Sequence, residues 1–243
     1  MYNDVIDLRE FYSTPMGQVG RRLIRRRIRR LWPNLSGLTV LGLGYATPYL
    51  QPFQNEANAV IACMPSEQGA IHWPERELDS VALTDDRELP FPDRSIDRLL
   101  IVHGVECSEN LRIMLRDAWR VLADGGRMIA VVPNRRGLWS RLEQRSPFGH
   151  GHPYSAGQLH KLLLECFFTP IAIDYALYVP PIRSRLLMHF APAIEKMGSR
   201  WAQAVSGVLI VEASKEIYAG TAAPVRRPLR KRPLTALSGK GVT

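Results

Sequence analysis

A glycine loop follows the first strongly apolar segment of the chain. Residues 40–50 read VLGLGYATPYL, a pattern typical of a strand that runs through a turn into a helix. Gly44 lets the backbone approach a ligand closely, and Pro48 suits the first turn of a helix whose positive end faces that ligand. Such loops hold nucleotide-like cofactors, although a tight turn without a ligand has the same pattern.

Two carboxylates follow a later apolar segment. Asp85 and Asp86 come directly after SVALT, residues 80–84. In a parallel sheet they would lie at the same edge as Gly44, where ligands of open α/β sheets bind. A carboxylate there can accept a hydrogen bond from an amino group such as that of adenine. Acidic residues also cap turns, so this alternative stays open.

Three histidines are candidate acid–base catalysts. His103 follows the apolar segment 97–102, and His150 and His152 stand in FGHGHPYS. A histidine at the rim of the sheet can act as a general base, whereas a surface loop with two chance histidines is the simpler alternative for FGHGHPYS. No metal site is expected, because the three cysteines are far apart in sequence and lack the spacing of metal ligands. An odd number of cysteines also argues against a disulfide framework and so indicates a cytoplasmic protein.

The elements that must position these residues alternate along the chain. Apolar segments of strand length lie at 39–43, 59–64, 80–84, 97–102, 127–132, 170–179 and 205–214. Helical patterns lie between some of them, most clearly over 108–123 and over 155–167, where Ser155 and Gln158 form a capping box. Continuous apolar strands that alternate with helices predict a parallel sheet covered on both faces.

The charge of the chain is uneven. The net charge is +9, but residues 18–30 carry seven arginines and no acid, and residues 220–243 carry six lysines or arginines and no acid. Two local basic segments on a mildly acidic body predict no specific nucleic-acid partner. No apolar stretch approaches the ~20 residues of a transmembrane segment. We expect an N-terminal helical lid over 1–36, one domain over 37–219 and a disordered basic tail over 220–243.

Three motifs in the middle of the chain resemble those of class I S-adenosylmethionine-dependent methyltransferases. They read DDRELPFPDRSID, HGVEC and RVLADGG, and they come closest to the bacterial type 11-like branch of that family. The resemblance covers about residues 38–134. It implies an α/β fold with a Rossmann-like, seven-stranded, mostly parallel sheet, helices on both faces and a reversed last strand. Acceptor-side insertions would then occupy about residues 135–200.

The resemblance also implies S-adenosylmethionine as the cofactor and a set of contacts to it. Asp85 matches the acid that contacts adenine, and His103 lies where relatives line the methionine end. The glycine motif is degenerate, because Gly42 replaces its initial acid and Met64 replaces the acid that holds the ribose. The implied cofactor-binding residues are Gly42, Leu43, Gly44, Tyr45, Met64, Asp85, Asp86 and His103.

These departures predict a weakened cofactor site. Ala46, which replaces a glycine of the family loop, is expected to be strained if its position needs positive φ.

Two candidate functions follow from the resemblance and its departures. The first is methyl transfer to an unidentified acceptor, a small molecule, for which proximity and alignment suffice. The second is a catalytically inactive methyltransferase-fold protein that acts as a binding partner or regulator.

Overall fold

The computed structural model describes residues 2–74, 80–141, 146–181, 190–201 and 205–215. The predicted basic tail over 220–243 lies outside these described residues, as does part of the predicted acceptor-side region over 135–200.

Seven strands form a single sheet in the order β3-β2-β1-β4-β5-β7-β6. The strands are β1 (Thr39–Gly44), β2 (Ala59–Pro65), β3 (Val81–Thr84), β4 (Ile96–Val102), β5 (Leu122–Pro133), β6 (Phe168–Ala176) and β7 (Val208–Lys215). Strands β1 to β5 pair in parallel, and β7 is antiparallel to both of its neighbours, β5 and β6. The mostly parallel sheet with a reversed last strand is therefore confirmed.

Six α-helices accompany the sheet in the described part of the chain. They are α1 (Val5–Ser13), α2 (Pro15–Leu31), α3 (Thr47–Leu50), α4 (Leu111–Val121), α5 (Ala156–Glu165) and α6 (Ala191–Trp201). The capping box at the start of α5 is present. The helix predicted over 108–123 ends earlier than expected, since Leu122 is already extended. Strand β5 therefore starts immediately after α4, and Gly125 and Gly126 lie inside it.

Two apolar layers enclose the sheet, and the strands alternate between them. In β1, Val40 points to the layer formed with α1, α2 and α3, whereas Leu41 and Leu43 point to the layer formed with α4 and α5. This period of two is the geometry of a pleated strand. Helices on both faces keep the parallel strands out of water and leave the carboxyl edge of the sheet as the place for a site.

The N-terminal region divides into two parts with different roles. In α2, Leu23, Ile24 and Ile28 are buried against the sheet. Arg27 of the same helix forms ion pairs with Asp174 of β6 at 3.3 Å and with Glu195 of α6 at 3.7 Å. Helix α2 is thus a packed layer of the domain, and only α1 lies over the carboxyl edge of the sheet.

None of the helices in the described residues combines the length and the apolar character needed to cross a membrane. No group of three or more His, Cys, Asp or Glu residues in the described ranges is placed to hold a metal ion. All three cysteines are buried, and none of them forms a disulfide bond.

Candidate active site

The glycine loop places Gly44 directly against the end of β4. Gly44 has φ of 78°, in the left-handed region that favours glycine. A Cβ atom at this position would overlap the carbonyl oxygen of Val102. That oxygen accepts a hydrogen bond from the N–H of Tyr45 at 2.8 Å. Glycine is therefore required here by the close approach of β1 and β4 as well as by the backbone conformation.

The position of the missing acid in the loop is filled by apolar groups. A Cβ atom on Gly42 would collide with the Leu50 side chain of α3 and with Ala46. Ala46 itself has φ of −89°, so the strain expected there is absent. Helix α3 is only four residues long. Its dipole is accordingly weaker than the sequence suggested, because the macrodipole grows from aligned peptide units.

Helix α1 inserts an aromatic side chain into the edge of the sheet. The Tyr12 ring stacks on Tyr45 with centroids 5.5 Å apart and an interplanar angle of 23°. The Tyr12 hydroxyl lies 2.9 Å from the hydroxyl of Tyr49 and 2.9 Å from Nε2 of His103. The Phe148 ring lies 4.8 Å from the imidazole. All five side chains are buried, so the chain itself covers the residues expected at the methionine end.

A hydrogen-bonded chain runs from Tyr12 through His103 to Glu106. Nδ1 of His103 lies 3.1 Å from Oε1 of Glu106, and both residues are buried. With Glu106 ionised and the imidazole neutral, Nδ1 donates to the carboxylate and Nε2 accepts from the Tyr12 hydroxyl. Burial raises the pKa of Tyr12 well above its ordinary value, which keeps this hydroxyl protonated. His103 also has φ of 54°, a strained conformation for a residue with a side chain.

The two carboxylates after β3 already have partners within the chain. The Arg87 side chain donates hydrogen bonds to the Asp85 carboxylate, at 2.9 Å from Nε and at 2.6 Å from a terminal nitrogen. Hydrogen bonds from the Arg87 side chain lower the pKa of this exposed carboxyl to about 2. Asp86 accepts a 2.7 Å hydrogen bond from the hydroxyl of Tyr2, just before α1. The side chains of Tyr2 and Tyr12 therefore both bind the N-terminal segment to the edge of the sheet.

The end of β2 contains a candidate residue that sequence reasoning missed. Met64, predicted beside the ribose, is fully buried in the apolar layer under α1. Gln68 lies in the turn that follows and is 1% exposed, yet neither amide atom of its side chain has a hydrogen-bond partner among the described residues. Its backbone oxygen accepts from the N–H of Val5 at the start of α1. No sequence pattern marks Gln68.

The two histidines of FGHGHPYS are not part of this buried cluster. His150 and His152 are exposed, in contrast to His103. The backbone N–H of His152 donates to the carbonyl oxygen of Glu106 at 2.8 Å, which places His152 beside the outer side of the His103–Glu106 pair. Glu106 was visible in the HGVEC motif, but its contact with His103 was not predicted.

Leu43 of the glycine loop packs in the apolar core and does not line the carboxyl edge of the sheet. Leu43 belongs to the layer formed with α4 and α5, on the face of the sheet opposite α1. Of the residues expected to bind the cofactor, Gly44, Tyr45 and His103 converge at the ends of β1 and β4, and Asp85 and Asp86 lie at the end of β3. The arrangement has the chemical groups for a nucleotide-like ligand, with a histidine held by a carboxylate beside it.

Comparison with known proteins finds one matching family model. Residues 40–130 match the family model described as "Methyltransferase domain". No curated protein matches the chain significantly.

Solved structures share its fold. A methyltransferase dependent on S-adenosylmethionine from Thermotoga maritima has 14% identity and a TM-score of 0.61, over 87% of this chain and 96% of that one. Another from Archaeoglobus fulgidus has 19% identity and a TM-score of 0.57, over 80% and 94%. A third match is to a complex of the Haloferax volcanii Trm112 methyltransferase activator with a methyltransferase. It has 16% identity and a TM-score of 0.63, over 89% of this chain and 100% of that one. At these identities the similarity shows the fold.

Proposed function

We propose that this chain, which carries a class I S-adenosylmethionine-dependent methyltransferase domain, transfers a methyl group to a small-molecule acceptor. The observation that carries the proposal is the convergence of Gly44, His103 and the Asp85–Asp86 pair at the carboxyl edge of the domain matched by the family model. This edge is where open α/β sheets bind their ligands.

The buried Gln68 amide supports the fit of the cofactor. An amide with four unused hydrogen-bonding positions in a buried turn is costly unless a ligand completes it. The turn follows β2, where relatives hold the ribose hydroxyls, and Met64 offers no acceptor there. We therefore assign to Gln68 the role that the family gives to an acid.

The residues that would hold the cofactor follow from this placement. The Gly44 backbone and Gln68 would bind its central part, the Asp85–Asp86 pair its adenine, and His103 would line its methionine end. When bound, the cofactor supplies a methyl group on a positively charged sulfur. The Glu106 carboxylate keeps the His103 ring in one orientation, with Nε2 able to accept a proton from the acceptor once Tyr12 no longer donates to it.

Cofactor entry requires helix α1 to withdraw. The space beside Tyr2, Asp85 and Asp86 is about 160 Å³, whereas ligand sites usually measure at least about 300 Å³. Helix α1 is held closed over the edge by one hydrogen bond from Tyr2 and by two hydrogen bonds at the Tyr12 hydroxyl. The expected N-terminal lid is thus assigned to residues 2–13, and α2 remains in place as a layer of the domain.

Calorimetry with S-adenosylhomocysteine tests this function. We expect the full chain to bind this product of methyl transfer with a dissociation constant between micromolar and submillimolar. Absence of heat at millimolar ligand would overturn the proposal.

The Gln68→Leu substitution tests the ribose assignment. Loss of one neutral hydrogen bond of ~1 kcal/mol should weaken S-adenosylhomocysteine binding about fivefold. Because leucine removes a buried amide without partners, the urea midpoint of the variant should stay level or rise. The control is Gln51→Leu on an exposed turn, where binding should not change. Unchanged affinity in Gln68→Leu would remove Gln68 from the site.

A second function has one observation in its favour. The position of the missing acid at Gly42 is filled by Leu50, and α1 fills the edge from the other side. A chain that has lost cofactor binding could keep this packing and act as a binding partner of another protein. The same calorimetry separates the two functions, since this alternative predicts no heat.

A further inference from the structure

Helix α2 has a basic face on the side that points away from the sheet. It is a surface depression of about 280 Å³ lined by Gln18, Arg21, Arg22, Arg25, Arg26 and Arg29. Four of these residues, Arg21, Arg22, Arg25 and Arg26, are its central arginines. None of the central arginines forms an ion pair within the part of the chain that the structure describes. The proposed cofactor binding does not use this face.

Other arginines of α2 are held by acidic residues of neighbouring elements. Besides the two ion pairs of Arg27, a terminal nitrogen of Arg29 lies 2.6 Å from a carboxylate oxygen of Glu56. The helix has no acidic residue of its own. The positive charge of the basic face is therefore not compensated from within α2, while the paired arginines fix the helix on the domain.

The like charges of the basic face lie close enough to repel one another. Partial burial lowers the pKa of Arg25, and the nearby charges of Arg21 and Arg29 lower it further. Arginine nevertheless stays charged at neutral pH, so an anion relieves the repulsion. A guanidinium group donates two parallel hydrogen bonds to a phosphate, which makes phosphate the anion that this face suits best.

The shape and lining of the basic face favour headgroup phosphates over those of a nucleic acid. Its lining contains no aromatic ring on which a base could stack. From Arg21 to Arg29 it extends about 12 Å along a straight helix. Headgroups of a bilayer lie in a plane and diffuse laterally, so anionic lipids can collect against such a row. The apolar side of α2 is buried against the sheet, so the attraction is electrostatic and needs no insertion into the bilayer.

The basic face adjoins the carboxyl edge of the sheet. Burial raises the pKa values of Tyr45 and Tyr49, and the nearby charge of Arg21 opposes this increase. The exposed Arg9 of α1 acts on Tyr45 in the same direction as Arg21. Both tyrosines belong to the aromatic cluster beneath α1. A surface bound by the basic face would therefore lie next to the candidate active site.

We propose that the basic face of α2 docks the protein on an anionic phospholipid surface, with headgroup phosphates held by its central arginines. This peripheral contact goes beyond the proposed function, because it needs neither the cofactor nor the opening of α1.

Sedimentation of the full chain with vesicles tests this docking. Vesicles of phosphatidylcholine alone are compared with vesicles of equal parts phosphatidylcholine and phosphatidylglycerol. We expect binding to the mixed vesicles to be at least tenfold stronger and to fall as salt is added, because salt screens exposed charges. Arg22→Gln/Arg26→Gln removes two exposed charges, each worth about a fivefold change in partition, and should weaken this binding at least tenfold.

The matched control is Arg116→Gln/Lys161→Gln, which makes the same change of net charge at exposed positions of α4 and α5, in the opposite layer. It should change binding to the mixed vesicles less than threefold. Equal binding to both kinds of vesicle, or equal effects of the two double variants, would overturn the proposal.

A second pair of substitutions on the same face keeps the proposal testable if the first does not fold. Arg21→Gln/Arg25→Gln should also weaken binding to the mixed vesicles at least tenfold. Binding that is unchanged in both pairs would overturn the proposal. Binding of the wild type to duplex DNA that is tighter than to the mixed vesicles, and lost in Arg22→Gln/Arg26→Gln, would also overturn it in favour of a nucleic acid.

Discussion

Replacing Gly44 by alanine is expected to lower the free energy of unfolding by about 2–5 kcal/mol. A left-handed conformation costs a residue with a side chain about 1–2 kcal/mol, and Gly44 has φ of 78°. The added Cβ atom would also overlap the carbonyl oxygen of Val102, and forcing apart two packed strands costs about 1–3 kcal/mol more. Urea unfolding followed by circular dichroism measures the loss.

Gly37 provides a matched control for this substitution. It has φ of 76°, nearly the same as Gly44, but a Cβ atom there would meet nothing within 4 Å. Gly37→Ala should therefore lose only the conformational part, about 1–2 kcal/mol. The difference between the two variants measures the close approach of β1 and β4. If both variants lose the same amount, the contact between Gly44 and Val102 makes no contribution.

Tyr12→Phe is expected to raise the affinity for S-adenosylhomocysteine about tenfold. The substitution keeps the stacked ring but removes the hydroxyl that bonds to both Tyr49 and His103. Leaving these buried partners unsatisfied should destabilise the closed position of α1 by about 1–3 kcal/mol. The apparent affinity rises with the population of the open state, because only that state admits the ligand. Calorimetry on the full chain measures the change.

The opposite result has an equally definite meaning. Weaker binding in Tyr12→Phe would show that the hydroxyl contacts the ligand directly, and α1 would then be part of the cofactor site rather than its competitor. Ile6→Ala is the control, since Ile6 lies on the same helix with its side chain 52% exposed. The affinity of the Ile6→Ala variant for S-adenosylhomocysteine should equal that of the wild type.

Met64 occupies a position where a carboxylate is expected to destabilise the domain. The sequence suggests Met64→Asp as a way to restore a carboxylate beside the ribose. Met64 is fully buried in the apolar layer, so an aspartate there would be an unpaired buried charge. We expect this variant to unfold the domain rather than strengthen binding, and Gln68 is the better position to test.

The sequence by itself determined the sheet, its reversed strand and the capping box of α5. The parallel strands and the capping box depend on local periodicity and on residue types a few positions apart, which the printed chain displays directly. The seven-stranded sheet with its reversed last strand was implied by the resemblance of the three motifs to class I methyltransferases. It also determined the order of chemical groups along the carboxyl edge, because parallel strands bring their ends to one side. Gly44 is the clearest case, since the sequence places a glycine at the turn where the backbone has φ of 78°.

Only the tertiary structure decided what those groups contact. Tyr12 meets His103 across 91 positions of sequence, and Tyr2 meets Asp86 across 84. Leu50 occupies the space beside Gly42. Such contacts depend on the path of the chain and on which side chains fill the remaining volume. A pattern of neighbours in sequence carries no information about either, so the closing of the site by its own N-terminal helix could be found only in three dimensions.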